Sequence, residues 1–220
     1  MPQDFCLGIV TPIPKFKGHK KNVTADDFRG ISVNPIASKI FEHCLIPFLG
    51  NLKTSKRQFG FKKGVGCLNS IHTVRKVIKY FNESGNTVNL GLVDLKKAFD
   101  KTPFYGILNK LIEKNINSNI VKVLESWLSN SSMKVKWNGT VSHEVFLSAG
   151  VRQGGVLSPL LFAVYVDVVL KDLKKSGLGC FVGRQCFNSF LYADDLIIIS
   201  ISVTDLQKLK FVMPRLISLI

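Results

Sequence analysis

Residues 190 to 200 read Phe190-Leu191-Tyr192-Ala193-Asp194-Asp195-Leu196-Ile197-Ile198-Ile199-Ser200, two adjacent carboxylates between two runs of strand-forming apolar residues. The aromatic and β-branched residues on either side predict two strands, and the short Ala193-Asp194 step predicts a tight hairpin turn between them. The acids are thereby placed at a hairpin tip. Two neighbouring anions repel, and apolar walls strip hydration from each, so the arrangement is costly unless a cation neutralises it. A hard divalent cation such as Mg²⁺ takes carboxylate oxygens and leaves coordination positions for substrate phosphates. Asp is also an ordinary turn residue, and an Asp-Asp pair taken alone reads more readily as a solvated turn. The rest of the chain decides between the two.

Upstream of the hairpin, Gly150-Val151-Arg152-Gln153-Gly154-Gly155-Val156-Leu157-Ser158-Pro159 reads as a flexible basic turn that opens a helix. Ser158 suits the N-cap and Pro159 the first helical position. That helix is predicted to run to about Lys175, apolar on most sides and so buried against a sheet. The loop at Ser176 to Gly179 then leads into the hairpin. Before the turn, Asn138-Gly139 between Met133 to Trp137 and Thr140 to Leu147 is a strong hairpin signal. Helices are expected at 103–114 and 118–128, and a strand over Val88 to Leu95 that carries Asp94 near its end. Gln58-Phe59-Gly60-Phe61-Lys62-Lys63-Gly64-Val65-Gly66 is Gly-rich and basic, without the Lys-Ser/Thr tail of a Walker loop. It precedes a helix over 70–81 with Ile71, Val74, Ile78 and Phe81 on one face. From Pro35, the spacing of Ile36, Ile40, Phe41, Cys44, Leu45 and Phe48 predicts an amphipathic helix to about Leu49. Arg29-Gly30 is expected in a turn, 8–14 as an extended segment, and Lys15, Lys17, His19, Lys20 and Lys21 in a basic loop able to touch a phosphate backbone. A last amphipathic segment is expected over 203–211. Helices and strands alternate without a regular βα rhythm, so the fold class is α+β.

Thirty Lys and Arg against fifteen Asp and Glu give +15 and a pI near 9.7, the balance of a chain whose partner is a polyanion, nucleic acid first. No apolar run approaches the roughly 18–20 residues of a membrane span, and Met1-Pro2-Gln3-Asp4 does not open a signal peptide, so an intracellular chain is expected. Five cysteines without CxxC spacing suggest neither a disulfide framework nor a zinc knuckle.

Asp94 ends an apolar strand much as Asp194 and Asp195 sit beside one. If those strands are neighbours, three carboxylates converge and could hold two Mg²⁺ ions roughly 4 Å apart, the arrangement that serves phosphoryl or nucleotidyl transfer. Positioning and charge neutralisation carry most of that reaction, so no general base need be visible in the sequence.

Val93-Asp94-Leu95-Lys96-Lys97-Ala98-Phe99-Asp100, then Ala149 to Pro159, then Tyr192-Ala193-Asp194-Asp195 resemble, in order and spacing, the three palm motifs of reverse transcriptases. The nearest flavour is the non-LTR (LINE-type) retrotransposon enzyme, to whose fingers motifs Phe28-Arg29-Gly30-Ile31-Ser32 and Gln58-Phe59-Gly60-Phe61 are similar. The resemblance covers about residues 8 to 211. It implies a right-hand polymerase palm, an antiparallel sheet packed on helices, with fingers over 1–85, palm over 86–220 and 110–147 packing partly with the fingers. It implies RNA-directed DNA polymerase activity with RNA template, DNA primer and dNTP as partners, and action in the nucleus.

The resemblance also implies roles. Asp94, Asp194 and Asp195 would bind two Mg²⁺ ions, or Mn²⁺, with the Leu95 carbonyl as a further ligand. Phe99, by itself a core-like residue, would crowd the 2′ position of the incoming nucleotide and exclude a ribose hydroxyl. Gln153 and Gly154 would lie against nucleotide and template, Arg29 would reach the triphosphate as a bidentate donor, Lys62 and Lys63 would assist on phosphate or template, and Tyr192 would stand near the primer end. Gly30 replaces the family's usual proline and Lys62 a common arginine. The resemblance fades after Phe211, so thumb and primer grip are expected to be absent and extension by this chain weakly processive. The other readings are a non-catalytic nucleic-acid-binding remnant, which retention of the three acids with Phe99 and Gln153 disfavours, and an RNA-dependent RNA polymerase, which Phe99 disfavours.

Overall fold

A computed structural model describes residues 3–16, 18, 22–50, 52–95 and 97–212, with the side chains of residues 3 and 4 excepted. Lys17, His19, Lys20 and Lys21, with the phosphate contact expected of their loop, lie outside the described residues. In chain order the elements are α1 (Gln3–Cys6), β1 (Leu7–Pro14), β2 (Phe28–Val33), α2 (Ile36–Leu49), α3 (Cys67–Glu83), β3 (Asn89–Asp94), α4 (Ala98–Lys101), α5 (Phe104–Glu113), α6 (Ser118–Ser129), β4 (Ser132–Trp137), β5 (Thr140–Val141), β6 (Val145–Phe146), α7 (Ser158–Lys175), β7 (Cys180–Val182), β8 (Gln185–Phe187), β9 (Ser189–Tyr192), β10 (Asp195–Ser200) and α8 (Val203–Val212). They form two compact units interleaved along the chain, one of residues 1–52 with 99–161, the other of 53–98 with 162–220.

The first unit is built on a sheet of order β2-β1-β4-β5, with β6 also on β4. β1 runs antiparallel to β2 and parallel to β4. Arg29 and Gly30 lie within β2, opposite Ile13 and Pro12, rather than in the turn expected of them. The Arg-Gly pair reads as a turn only in isolation, and β1 supplies the ladder that keeps it extended. Asn138 and Gly139 join β4 to β5 at φ 49° and 82°, the left-handed conformations that a two-residue hairpin turn demands. Phe104, Ile107, Leu108 and Leu111 of α5 and Val121, Leu124, Trp127 and Leu128 of α6 are buried, each set repeating at the three- and four-residue spacing of an inward helical face. Leu111 and Leu124 are wholly buried, so truncation of either to Ala costs about 2–5 kcal/mol.

Helix α2 corrects its expected orientation. Its buried residues are Ser38, Glu42, Leu45 and Leu49, while Ile36, Ile40 and Phe48 are exposed. The helix has apolar side chains on two faces, and its neighbours chose the face that carries a carboxylate.

The second unit holds an antiparallel sheet of order β3-β10-β9. Val74, Val77 and Phe81 of α3 pack with Phe190, Ile199 and Cys180. Ser70 takes an inward position of α3 that the pattern assigned to Ile71, which is 48% exposed. Gly91 leaves the space that Ile198 and Leu206 occupy, a Cβ there falling 2.8 Å from Ile198 Cγ1. The hairpin of β7 and β8 is an addition to the expected elements. Its strands are three residues each, too short to show alternation. Residues 161–166 of α7 are all buried, as its apolar circumference predicts.

Candidate active site

Strand pairing brings two of the predicted acids face to face. Asp195, the first residue of β10, is the Cα partner of Asp94, the last of β3, and on its other side pairs with Tyr192 at the end of β9. Residues directly opposite across antiparallel strands hold their Cβ atoms about 4.5–5.5 Å apart, and like charges in that position destabilise the pair. Both carboxylates are exposed. Asp194, half-buried, occupies the second position of the two-residue turn, after Ala193 at φ 58°.

A non-glycine residue at positive φ needs support from its surroundings, and residues 57–60 supply it. Leu191 N donates to the Arg57 carbonyl at 2.9 Å, and Phe59 N to the Leu191 carbonyl at 2.8 Å, so this segment runs parallel to β9. Gln58 is wholly buried, and its Oε1 accepts the Gly60 N–H at 3.1 Å. A Cβ on Gly60 would overlap the backbone nitrogen of Ala193. The glycine lets one backbone lie on the other directly beneath the acidic turn.

The donor chemistry of Asp94, Asp194 and Asp195 suits a hard divalent cation. Among the described residues, however, no three His, Cys, Asp or Glu side chains are gathered closely enough to hold one. Register pairs two acids and the turn places the third next in sequence. Leu95 is buried, and its carbonyl accepts the Ala98 N–H at 3.1 Å, which leaves a second lone pair for other use. Tyr192 is half-buried. The Lys62 ammonium donates to the Ser55 carbonyl at 2.6 Å, and burial lowers its pKa against the pull of Asp167. Asp167 is itself buried and accepts the Ser55 N–H at 2.5 Å.

The remaining predicted residues belong to the first unit. The segment around Gln153, expected to be flexible, is tied down on all sides. Gly150 N donates to the Thr102 carbonyl at 2.8 Å, Val151 N to the Phe99 carbonyl at 2.7 Å, and Ser32 N to the Gln153 carbonyl at 2.8 Å. The Gln153 amide donates through Nε2 to Asp100 Oδ1 at 3.1 Å, a partner that sequence reasoning left without a role. Gly154, at φ 110°, brings its backbone against the Ser32 carbonyl, where a Cβ would fall at 2.5 Å. A cleft of about 410 Å³ opens here, with Val10, Gly30, Ser32, Met133, Ser148 and Gln153 in its wall. Arg29 is exposed. Phe99 is half-buried.

Arg152 departs from its expected place in a flexible basic turn. It is 7% exposed, with its guanidinium over the Trp127 ring at 5.6 Å. Glu42 was likewise missed. The signal that could have found it is the stripe Ser38, Glu42, Leu45, Leu49, helical spacing with an acid inside it.

These units have the architecture of a right-hand polymerase. The fold matches the telomerase of Candida albicans solved with a fragment of telomeric RNA at a TM-score of 0.66 and 12% identity, over 99% of this chain and 41% of that one. An apo telomerase of Candida tropicalis, truncated of its C-terminal domain, matches at 0.61 and 18% identity, over 96% and 46%. Residues 13–216 match the family model of the reverse transcriptases (RNA-dependent DNA polymerases), and the chain belongs to that family. Its relatives include the probable RNA-directed DNA polymerase of the X-element transposon of Drosophila melanogaster, 30% identical over 84% of this chain and 21% of the relative. The polyprotein of the R2DM retrotransposable element of the same fly is 28% identical over 86% and 18%. The polymerase of the jockey element of Drosophila funebris is 25% identical over 84% and 20%. The chain thus spans about a fifth of the length of these curated relatives. Among the described residues no helix is long and apolar enough to cross a membrane.

Proposed function

We infer that this chain is the palm and fingers portion of an RNA-directed DNA polymerase, joining a dNTP to a primer 3′ hydroxyl on an RNA template. The observation that carries the reading is the in-register pair of Asp94 and Asp195, with Asp194 on the adjoining turn, in a chain of the reverse transcriptase family. Like charges set opposite each other in an exposed position are unfavourable by themselves, which favours a role in holding cations.

Asp94, Asp194 and Asp195 would hold two Mg²⁺ ions, with the Leu95 carbonyl as a further oxygen donor. Such a pair lowers the pKa of an attacking hydroxyl and neutralises charge on the leaving pyrophosphate. Phe99 would crowd the 2′ carbon of the incoming sugar, so that a deoxyribose fits where a ribose does not. Gln153 and Gly154 would contact nucleotide and template, the glycine through close backbone approach. Arg29 would bind triphosphate oxygens bidentately. Tyr192 would lie near the primer end, and Lys62 would assist on phosphate or template. Copying at chromosomal DNA would place this work in the nucleus, which fractionation of a tagged chain tests.

The deciding experiment is nucleotide addition on poly(rA)/oligo(dT) with Mg²⁺. Metal-dependent dTMP incorporation, lost in Asp194→Asn and in Asp195→Asn, is the expected result. Template binding with no incorporation under any metal would instead indicate a nucleic-acid-binding remnant.

A further inference from the structure

A buried pair of opposite charges underlies the Gln153 turn, and the nucleotide chemistry above makes no use of it. Glu42 is fully buried, and its Oε2 accepts the Leu157 N–H at 2.8 Å. The Val156 N–H also donates to this carboxylate. Among the described residues, the buried Glu42 Oε1 and the Nε, Nη1 and Nη2 atoms of Arg152 have no hydrogen-bond partner. Burial disfavours both charges, raising the Glu42 pKa and lowering that of Arg152, and each charge opposes the shift of the other.

The turn backbone lies close over this pair. A Cβ at Gly155 would fall 2.5 Å from Ser158 Oγ and 3.4 Å from Glu42 Oε2, and Gly155 N donates to the Arg152 carbonyl at 3.0 Å. Gln153 and Gly154 are the two residues between those fixed points. A carboxylate buried without a compensating charge is far costlier than a neutral group of the same shape, so losing one partner of such a pair is worse than neutralising both.

We propose that Arg152 is a positioning residue for the Gln153 turn: its buried charge compensates Glu42, and the ionised carboxylate then holds the Val156 and Leu157 N–H groups that set the turn's exit. Arg152 touches no substrate in this scheme. It acts through Glu42 and the backbone. The consequence for nucleotide binding rests on the reading of Gln153 given above, whereas the consequence for the turn does not.

The test uses the 220-residue chain as Arg152→Met, Glu42→Gln, the double variant and Arg152→Lys. Amide hydrogen exchange is read at Val156 and Leu157, and KM and kcat are read in single-nucleotide addition. Arg152→Met is expected to speed exchange at both amides about tenfold to a hundredfold, the weakening of a charge-assisted hydrogen bond, and to raise the KM for dNTP more than it lowers kcat. Adding Glu42→Gln is expected to restore protection to the level of Glu42→Gln alone, because a neutral amide still accepts the N–H groups and needs no counter-charge. Should Arg152→Met fail to fold, Arg152→Lys keeps the charge and is expected to hold exchange within about threefold of the wild type. Additive losses in the double variant, exchange unchanged in Arg152→Met, or protection lost in Arg152→Lys would each overturn the proposal. If the wild type adds no nucleotide, the polymerase reading fails while the exchange measurements still decide the role of Arg152.

Discussion

Asp94 and Asp195, about a hundred residues apart in the chain, are Cα partners across β3 and β10, so two carboxylates of the same sign face each other at one end of the sheet. Without a cation, the pairing opposes the sheet's stability. Asp195→Asn is therefore expected to stabilise the chain in EDTA by about 0.2–1 kcal/mol, the range for cross-strand pairs. Millimolar Mg²⁺ or Mn²⁺ is expected to raise the melting temperature of the wild type and to leave Asp195→Asn nearly unmoved. Thermal denaturation with and without metal checks both. A wild-type curve indifferent to both metals would remove the acids' role in cation binding.

Gly60 lies on the backbone of the acidic turn. Gly60→Ala is expected to cost about 1–3 kcal/mol, the penalty of overpacking against a backbone that cannot retreat. Gly64, in open space, meets only the strain of its φ of 76°, so Gly64→Ala is the milder change. Urea unfolding of the two variants compares them, and equal midpoints would deny Gly60 its bracing role.

Glu42 has a sign that can be measured. Its folded pKa is raised above the ordinary 4.5 by burial, against the opposing Leu157 and Val156 N–H groups and the Arg152 charge. The folded chain thus keeps a proton that the unfolded chain has released. Stability falls as pH rises from about 4.5 through the folded pKa and levels off above it. Subtracting Glu42→Gln from wild type in urea unfolding, over about pH 4 to 8, isolates this segment. A difference that grows more favourable with rising pH would contradict it.

The thiols divide by burial. Cys180 is pushed up to about 11, and Cys6 and Cys186 are also raised by burial, whereas Cys44 and Cys67 are exposed. Titration with Ellman's reagent under native conditions is expected to modify two thiols quickly and the remaining three only on unfolding.

Phe99→Ala is expected to raise the use of rNTP relative to dNTP by about tenfold or more, the discrimination that one well-placed steric contact supplies. Competition between dTTP and UTP in single additions measures it. An unchanged ratio would assign Phe99 to packing alone.

Each element legible in the sequence rested on a local rule. The runs of aromatic and β-branched residues on either side of a two-residue step identified the 190–200 hairpin, Asn138-Gly139 its counterpart in the first unit, and Ser158-Pro159 the start of α7, because strand-forming residues, left-handed turn residues and N-caps act within a few residues. The motifs around Asp94, Gln153 and Asp194 carried the family, which the match over 13–216 bears out. Where a helix had apolar residues on more than one side, the pattern misled: α2 buries Glu42 and exposes Ile36, and α3 buries Ser70 and exposes Ile71.

That two acids sit at a hairpin tip and a third ends a strand follows from local sequence, since turn chemistry and strand-forming composition are encoded residue by residue. Long-range packing alone set Asp195 opposite Asp94, Gly60 against Ala193 and the buried Arg152 guanidinium over Trp127. All three share one cause. Strand register, backbone contact and the burial of a charge depend on partners distant in the chain, and no local preference of either residue specifies the other.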